Sequence, residues 1–113
     1  MKWMSIAPEA GSTEAGTEGG VIVLDDVHDD GARITLEKLA GETNYAITCG
    51  IYDWMVHTRF FNTKIAAYQA FEAMKDDMDT IVAAIPLKND PERERKMDIA
   101  SQAMSRFVDK YPS

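Results

Sequence analysis

The sequence predicts an α+β fold: an antiparallel four-stranded sheet of two consecutive hairpins, followed by two C-terminal helices packed on one face. Three observations lead there. Two β-rich runs flank an Asp-Asp-Gly tripeptide, and two more follow a Gly-containing turn at "AGET". Past Asn62 the apolar period lengthens from two residues to three or four, which is the change from strand to helix.

Residues 1–19 end in "EAGSTEAGTEG", which has no apolar period. Such a segment buries too little surface to offset its ordering entropy, so a flexible tail is expected. Trp3, Met4 and Ile6 are the groups through which it could dock. A single domain is expected over residues 20–113, a size that fits one core.

That domain opens with "VIVLDDVH", "DDG" and "ARITLEKL". A three-residue loop over Asp29–Gly31, with Gly31 left-handed, sets Leu24 opposite Leu36 and puts Ile22 and Ile34 on that face. The second hairpin is "NYAITCGI" followed by "WMVHTRFF". From Lys64 to Ile85 a stripe of Ile65, Tyr68, Phe71, Met74, Met78, Ile81, Val82 and Ile85 predicts the first helix. Asn62 or Thr63 caps its start and Pro86 stops it. Asp90 and Pro91 then supply a cap and first-turn proline for a helix running to about Tyr111, with Glu92 and Glu94 at its positive end.

Composition narrows the function classes. Net charge is −7 and the pI about 4.7. An acidic surface repels phosphate backbones and anionic lipid, so neither nucleic acid nor membrane is an expected partner. One cysteine forms no internal disulfide, and nothing resembles a signal-peptide core or a membrane span. A cytoplasmic location is expected.

The densest chemistry is "CGIYDWMVHTRFF", residues 49–61. A turn over Tyr52-Asp53 with Ile51 opposite Trp54 would gather Tyr45, Ile47, Cys49, Ile51, Trp54, Val56, Thr58 and Phe60 on one face. A three-residue loop would put Cys49 opposite His57, but it would also place Arg59 among apolar residues. A one-residue slip flips a whole strand, so the cleaner face selects the first register. Cys49 is then a core residue, and His57 points away from it. Thr48, His57 and Arg59 become the candidate ligand-binding residues, with Arg59 a donor fork for anions and His57 a switchable donor. Met55 and Phe61 share that face.

"DVHDDGARITLE", from Asp26 to Glu37, matches a calcium loop at its first, fifth, sixth and twelfth positions. His28 at the third, Arg33 at the eighth and flanking strands argue against it, and no metal or other cofactor is expected. In the second helix Met97, Ala100, Met104, Phe107, Val108 and Tyr111 form a stripe. It packs either on the first helix and the sheet or on a partner chain. Met97, Met104, Phe107 and Tyr111 are the candidate interface residues.

Together these features point to a small non-enzymatic binding domain acting as a homo-oligomer. The alternative is a small-ligand protein or enzyme with a pocket between sheet and helices, lined by Thr48, His57 and Arg59.

Overall fold

The computed structural model describes residues 3–8, 14–40, 44–52, 54–86 and 89–111. The elements are β1 (Trp3–Ser5), β2 (Val21–His28), β3 (Ala32–Lys38), β4 (Tyr45–Ile51), β5 (Met55–Phe61), α1 (Lys64–Ala84) and α2 (Arg93–Lys110). They form one antiparallel sheet, ordered β1-β2-β3-β4-β5, followed by two helices. The α+β class is as expected, but the sheet has five strands rather than four.

The added strand comes from the segment expected to be a tail. β1 pairs Trp3, Met4 and Ser5 with His28, Val27 and Asp26. Trp3 stands edge-on to the His28 ring at 5.0 Å, with the Lys75 ammonium 5.7 Å from its own ring. An aromatic anchor with a cation–π contact offsets the ordering entropy of three residues. Glu14–Gly20 also lies on the sheet, and residues 9–13 of the expected tail fall outside the described residues, as do 41–43 of the "AGET" turn.

The first hairpin follows the expected register at its turn: His28 faces Ala32, Leu24 faces Leu36, and Gly31 has φ 99°. Below Leu24 it departs. A bulge between Ile22 and Leu24 pairs Ile22 with Glu37, turning Ile22 to the outer face while Ile34 stays in the core. One extra residue in a strand reverses every side chain before it.

The core lies between the sheet's inner face and the helices. Ile34, Leu36, Ile47, Cys49 and Ile51 meet Phe71, Met74, Met78 and Ile81 of α1. Thr63 caps α1, its hydroxyl accepting from the Ala66 N–H at 3.2 Å. Ile65, expected on the buried stripe, is 72% exposed, while Ala67 two residues on is buried in its place. α2 begins at Arg93 rather than at Pro91. The Asp90 carboxylate instead accepts from the Glu92 N–H and pairs with Lys96, so the cap residue is Glu92.

Candidate functional site

The three-residue loop wins in the second hairpin. Ile51 pairs with Met55, Cys49 with His57, Ile47 with Arg59 and Tyr45 with Phe61. This corrects the expected register: Cys49 and His57 share the helix-facing side of the sheet, and Val56 and Phe60 point outward. Asp53, expected in the turn, lies outside the described residues.

Partners arriving from distant sequence make the polar residues acceptable inside. The His57 Nε2–H donates to the carbonyl of Tyr111 at the end of α2, and its ring meets Phe107 at 6.5 Å. Arg59 lays its guanidinium over the rings of Phe61 and Tyr111, at 4.9 and 5.8 Å from their centroids. A planar cation on aromatic faces retains much of what it loses in leaving water.

Cys49 and His57 still form no nucleophile–base pair. The thiol donates to the backbone carbonyl of His57 at 3.5 Å, not to the ring, whose Nε2 is already engaged. Burial pushes the Cys49 thiol up to about 12. A thiol protonated at neutral pH is a poor nucleophile.

Thr48, His57 and Arg59 are not brought together. Thr48 lies on the outer face, where its hydroxyl meets those of Thr17 at 3.2 Å and Thr58 at 3.3 Å, while His57 and Arg59 are inside. A single pocket lined by all three is not formed. Of the candidate interface residues, Met104, Phe107 and Tyr111 are buried within the chain and Met97 is half-buried. The Tyr111 hydroxyl donates to Asp77 of α1, as does Lys110 at 2.8 Å, fixing the end of α2.

The acidic "DDVHDD" segment is divided by strand alternation. Asp25, on the outer face, accepts from the Arg33 fork at 2.9 and 2.5 Å and from the Thr35 hydroxyl at 3.0 Å. Asp26, on the inner face, pairs with Lys75 at 2.6 Å. The His28 ring is occupied at both nitrogens: Nδ1 accepts from the Asp30 N–H at 3.0 Å and Nε2 donates to Asp79 at 2.6 Å. With its second nitrogen held by a backbone amide, His28 cannot take a proton from a substrate in this arrangement. No three His, Cys, Asp or Glu side chains converge on a cation site among the described residues.

Sequence reasoning missed the outer face. Glu37 is fully buried there beneath the Glu14–Gly20 segment, its Oε1 accepting from the N–H groups of Glu18 (3.1 Å) and Gly20 (2.9 Å). A Cβ at Gly16 would lie 2.2 Å from Glu37 Oε2, so any larger residue there must displace the Glu37 carboxylate. Beyond this cover, large apolar side chains of the outer face are open to water. Val56 is 81% and Phe60 53% exposed, and both lie on β5, an edge strand. From Trp54 to Phe71 the chain contains no Asp or Glu, although it carries −7 in total. The signal was legible as an acid-free run but needed the register to show which residues face out.

A second feature sits where the two hairpin turns meet. The Tyr52 N–H donates to the Gly31 carbonyl at 2.8 Å, and beside it opens a groove of about 710 Å³ walled by Val27, Ile51, Tyr52, Trp54, Met55 and Val56. No helix among the described residues is long and apolar enough to cross a membrane.

No protein-family model matches the chain, and comparison with curated proteins and with solved structures gives no significant match.

Proposed function

We propose that this chain is a non-enzymatic cytoplasmic interaction domain that works as a homodimer, pairing through β5. The observation that carries the reading is an edge strand with exposed apolar residues. Among the described residues β5 pairs only with β4, and Val56 and Phe60 face water. An edge strand offers unpaired N–H and C=O groups to another chain, and monomeric proteins blunt such edges by shortness, charge or proline. The opposite edge, β1, is blunted in this way at three residues. β5 has seven, no proline and no outward charge, its one arginine being turned in onto aromatic rings.

Homodimers close most often about a two-fold axis, which would bury Val56 and Phe60 twice over. Full burial of each such side chain contributes about 1.5–3 kcal/mol, to be set against the association entropy. The lack of acidic residues from Trp54 to Phe71 lets two copies of an acidic protein approach there with least repulsion. Light scattering on the wild type and on Val56→Lys with Phe60→Lys tests the proposal. The expected result is a dimer that becomes a folded monomer on substitution. Equal masses for the two proteins would contradict it.

The groove at the hairpin turns favours a second reading, binding of a small apolar or aromatic molecule against Trp54 and Tyr52. Trp54 fluorescence titrated with a planar aromatic such as naphthalene tests it. Saturable quenching lost in Met55→Glu supports the reading, and a flat titration removes it.

A further inference from the structure

Resting on the homodimer reading, we propose that the two β5 strands pair antiparallel in one register, with Thr58 on the two-fold axis and the sheet continuing across the dimer.

Two independent features of β5 select that centre. The strand runs from Met55 to Phe61, so Thr58 is its midpoint, and only this centre pairs every residue of the strand with a strand residue of the second copy. The exposed apolar residues are also symmetric about Thr58. In an antiparallel two-fold pair, a residue two before the axis faces one two after it. Val56 therefore faces the partner's Phe60, and Phe60 faces the partner's Val56. Aromatic against β-branched is among the favourable cross-strand pairs.

Neighbouring centres lose both features. An axis at His57 sets Phe60 opposite the partner's Trp54, beyond the strand, and Val56 opposite the partner's Thr58. An axis at Arg59 sets Val56 opposite the partner's Asn62, again beyond the strand, and Phe60 opposite the partner's Thr58. Thr58 itself suits the axis, where it meets its own copy. Its hydroxyl already bonds Thr48 of the same chain, so two threonines meet without an unpaired buried charge. On the inner face His57 and Arg59 would be brought opposite the partner's Arg59 and His57. Each is engaged within its own chain, His57 by the Tyr111 carbonyl and Arg59 by two aromatic rings.

Cysteine crosslinking of the full chain reads the register directly. Opposed antiparallel residues have Cα atoms about 4.5–5.5 Å apart, within the range that a disulfide spans. Wild-type Cys49 is buried and serves as the background. Thr58→Cys is expected to convert most of the protein to a disulfide dimer on mild oxidation. Val56→Cys alone is expected to crosslink little, and an equimolar mixture of Val56→Cys and Phe60→Cys chains to crosslink well. Both of those sites are exposed, so this pair remains informative if Thr58→Cys folds poorly. A protein that is dimeric by mass but gives no crosslink at Thr58 and none in the mixture overturns the register and leaves the homodimer standing. A monomer by mass overturns both.

Discussion

Cys49 and His57 stand directly opposite each other on β4 and β5, yet the thiol bonds the His57 carbonyl while the His57 ring bonds Tyr111, fifty-four residues along the chain. Proximity in register is therefore not chemical pairing here. The imidazole serves as a tie between β5 and the end of α2, and the thiol fills the core.

The first prediction follows from the thiol. Burial raises the Cys49 pKa to about 12, so labelling by a thiol reagent should be slow in the folded protein and fast in denaturant. A pKa raised on folding favours the protonated form. Its stabilisation is complete below the unfolded thiol value, about 8.5, and is lost as pH rises from there towards 12. Cys49→Ala should remove that alkaline dependence and cost roughly 1 kcal/mol as a small truncation. Rapid native labelling near neutral pH would mean that the thiol is not in the core.

A second prediction concerns the tie between helices. Burial alone would raise the Asp77 pKa, but donation from Lys110 and Tyr111 outweighs it and holds the carboxyl below the usual range. A depressed carboxylate stabilises above its unfolded pKa and loses that contribution as pH falls through its folded value. Tyr111→Phe should cost about 1 kcal/mol at neutral pH and flatten the loss of stability below about pH 4. Denaturant melts of both proteins from pH 7 to pH 2 check this. Identical acid limbs would show that the Tyr111 hydroxyl contributes nothing to the Asp77 linkage.

A third prediction tests the cover on the outer face. Gly16→Ala forces a methyl group into the space held by Glu37 Oε2. Overpacking of this kind costs about 1–3 kcal/mol. Amide exchange at Gly20, whose N–H bonds Glu37, should accelerate more than exchange in β4. Unchanged protection at Gly20 would detach the segment's hold from Glu37.

The fourth prediction separates the second helix from the dimer surface. Met104 and Phe107 are buried inside the chain, so Met104→Glu with Phe107→Glu would leave two charges without partners in the core. The pair should abolish cooperative unfolding by circular dichroism, since unpaired buried charge is among the few changes that exceed 4–5 kcal/mol. A folded monomer from this double variant would return α2 to the interface.

These outcomes mark where the sequence was legible. Thr63 and Pro86 bound α1 because capping and proline chemistry are local, and Gly31 set the first turn for the same reason. β1 was not legible, since its support is the packing of Trp3 on His28 and Lys75, contacts set by the tertiary fold. The second hairpin misled for a physical reason. Choosing the cleaner apolar face presumes that polar residues belong outside, whereas His57 and Arg59 find a carbonyl and two rings within. Val56 and Phe60 turn outward instead, onto the surface proposed to meet a second copy. The candidate site moved accordingly, from Thr48, His57 and Arg59 to the edge formed by β5.

Whether this edge meets a second copy is read by mass. Sedimentation equilibrium of the unmodified chain at micromolar concentrations and neutral pH should give twice the chain mass of 12.6 kDa. It should fall toward the single mass on dilution, as reversible association requires. A single species of 12.6 kDa that persists to millimolar concentration would contradict the homodimer.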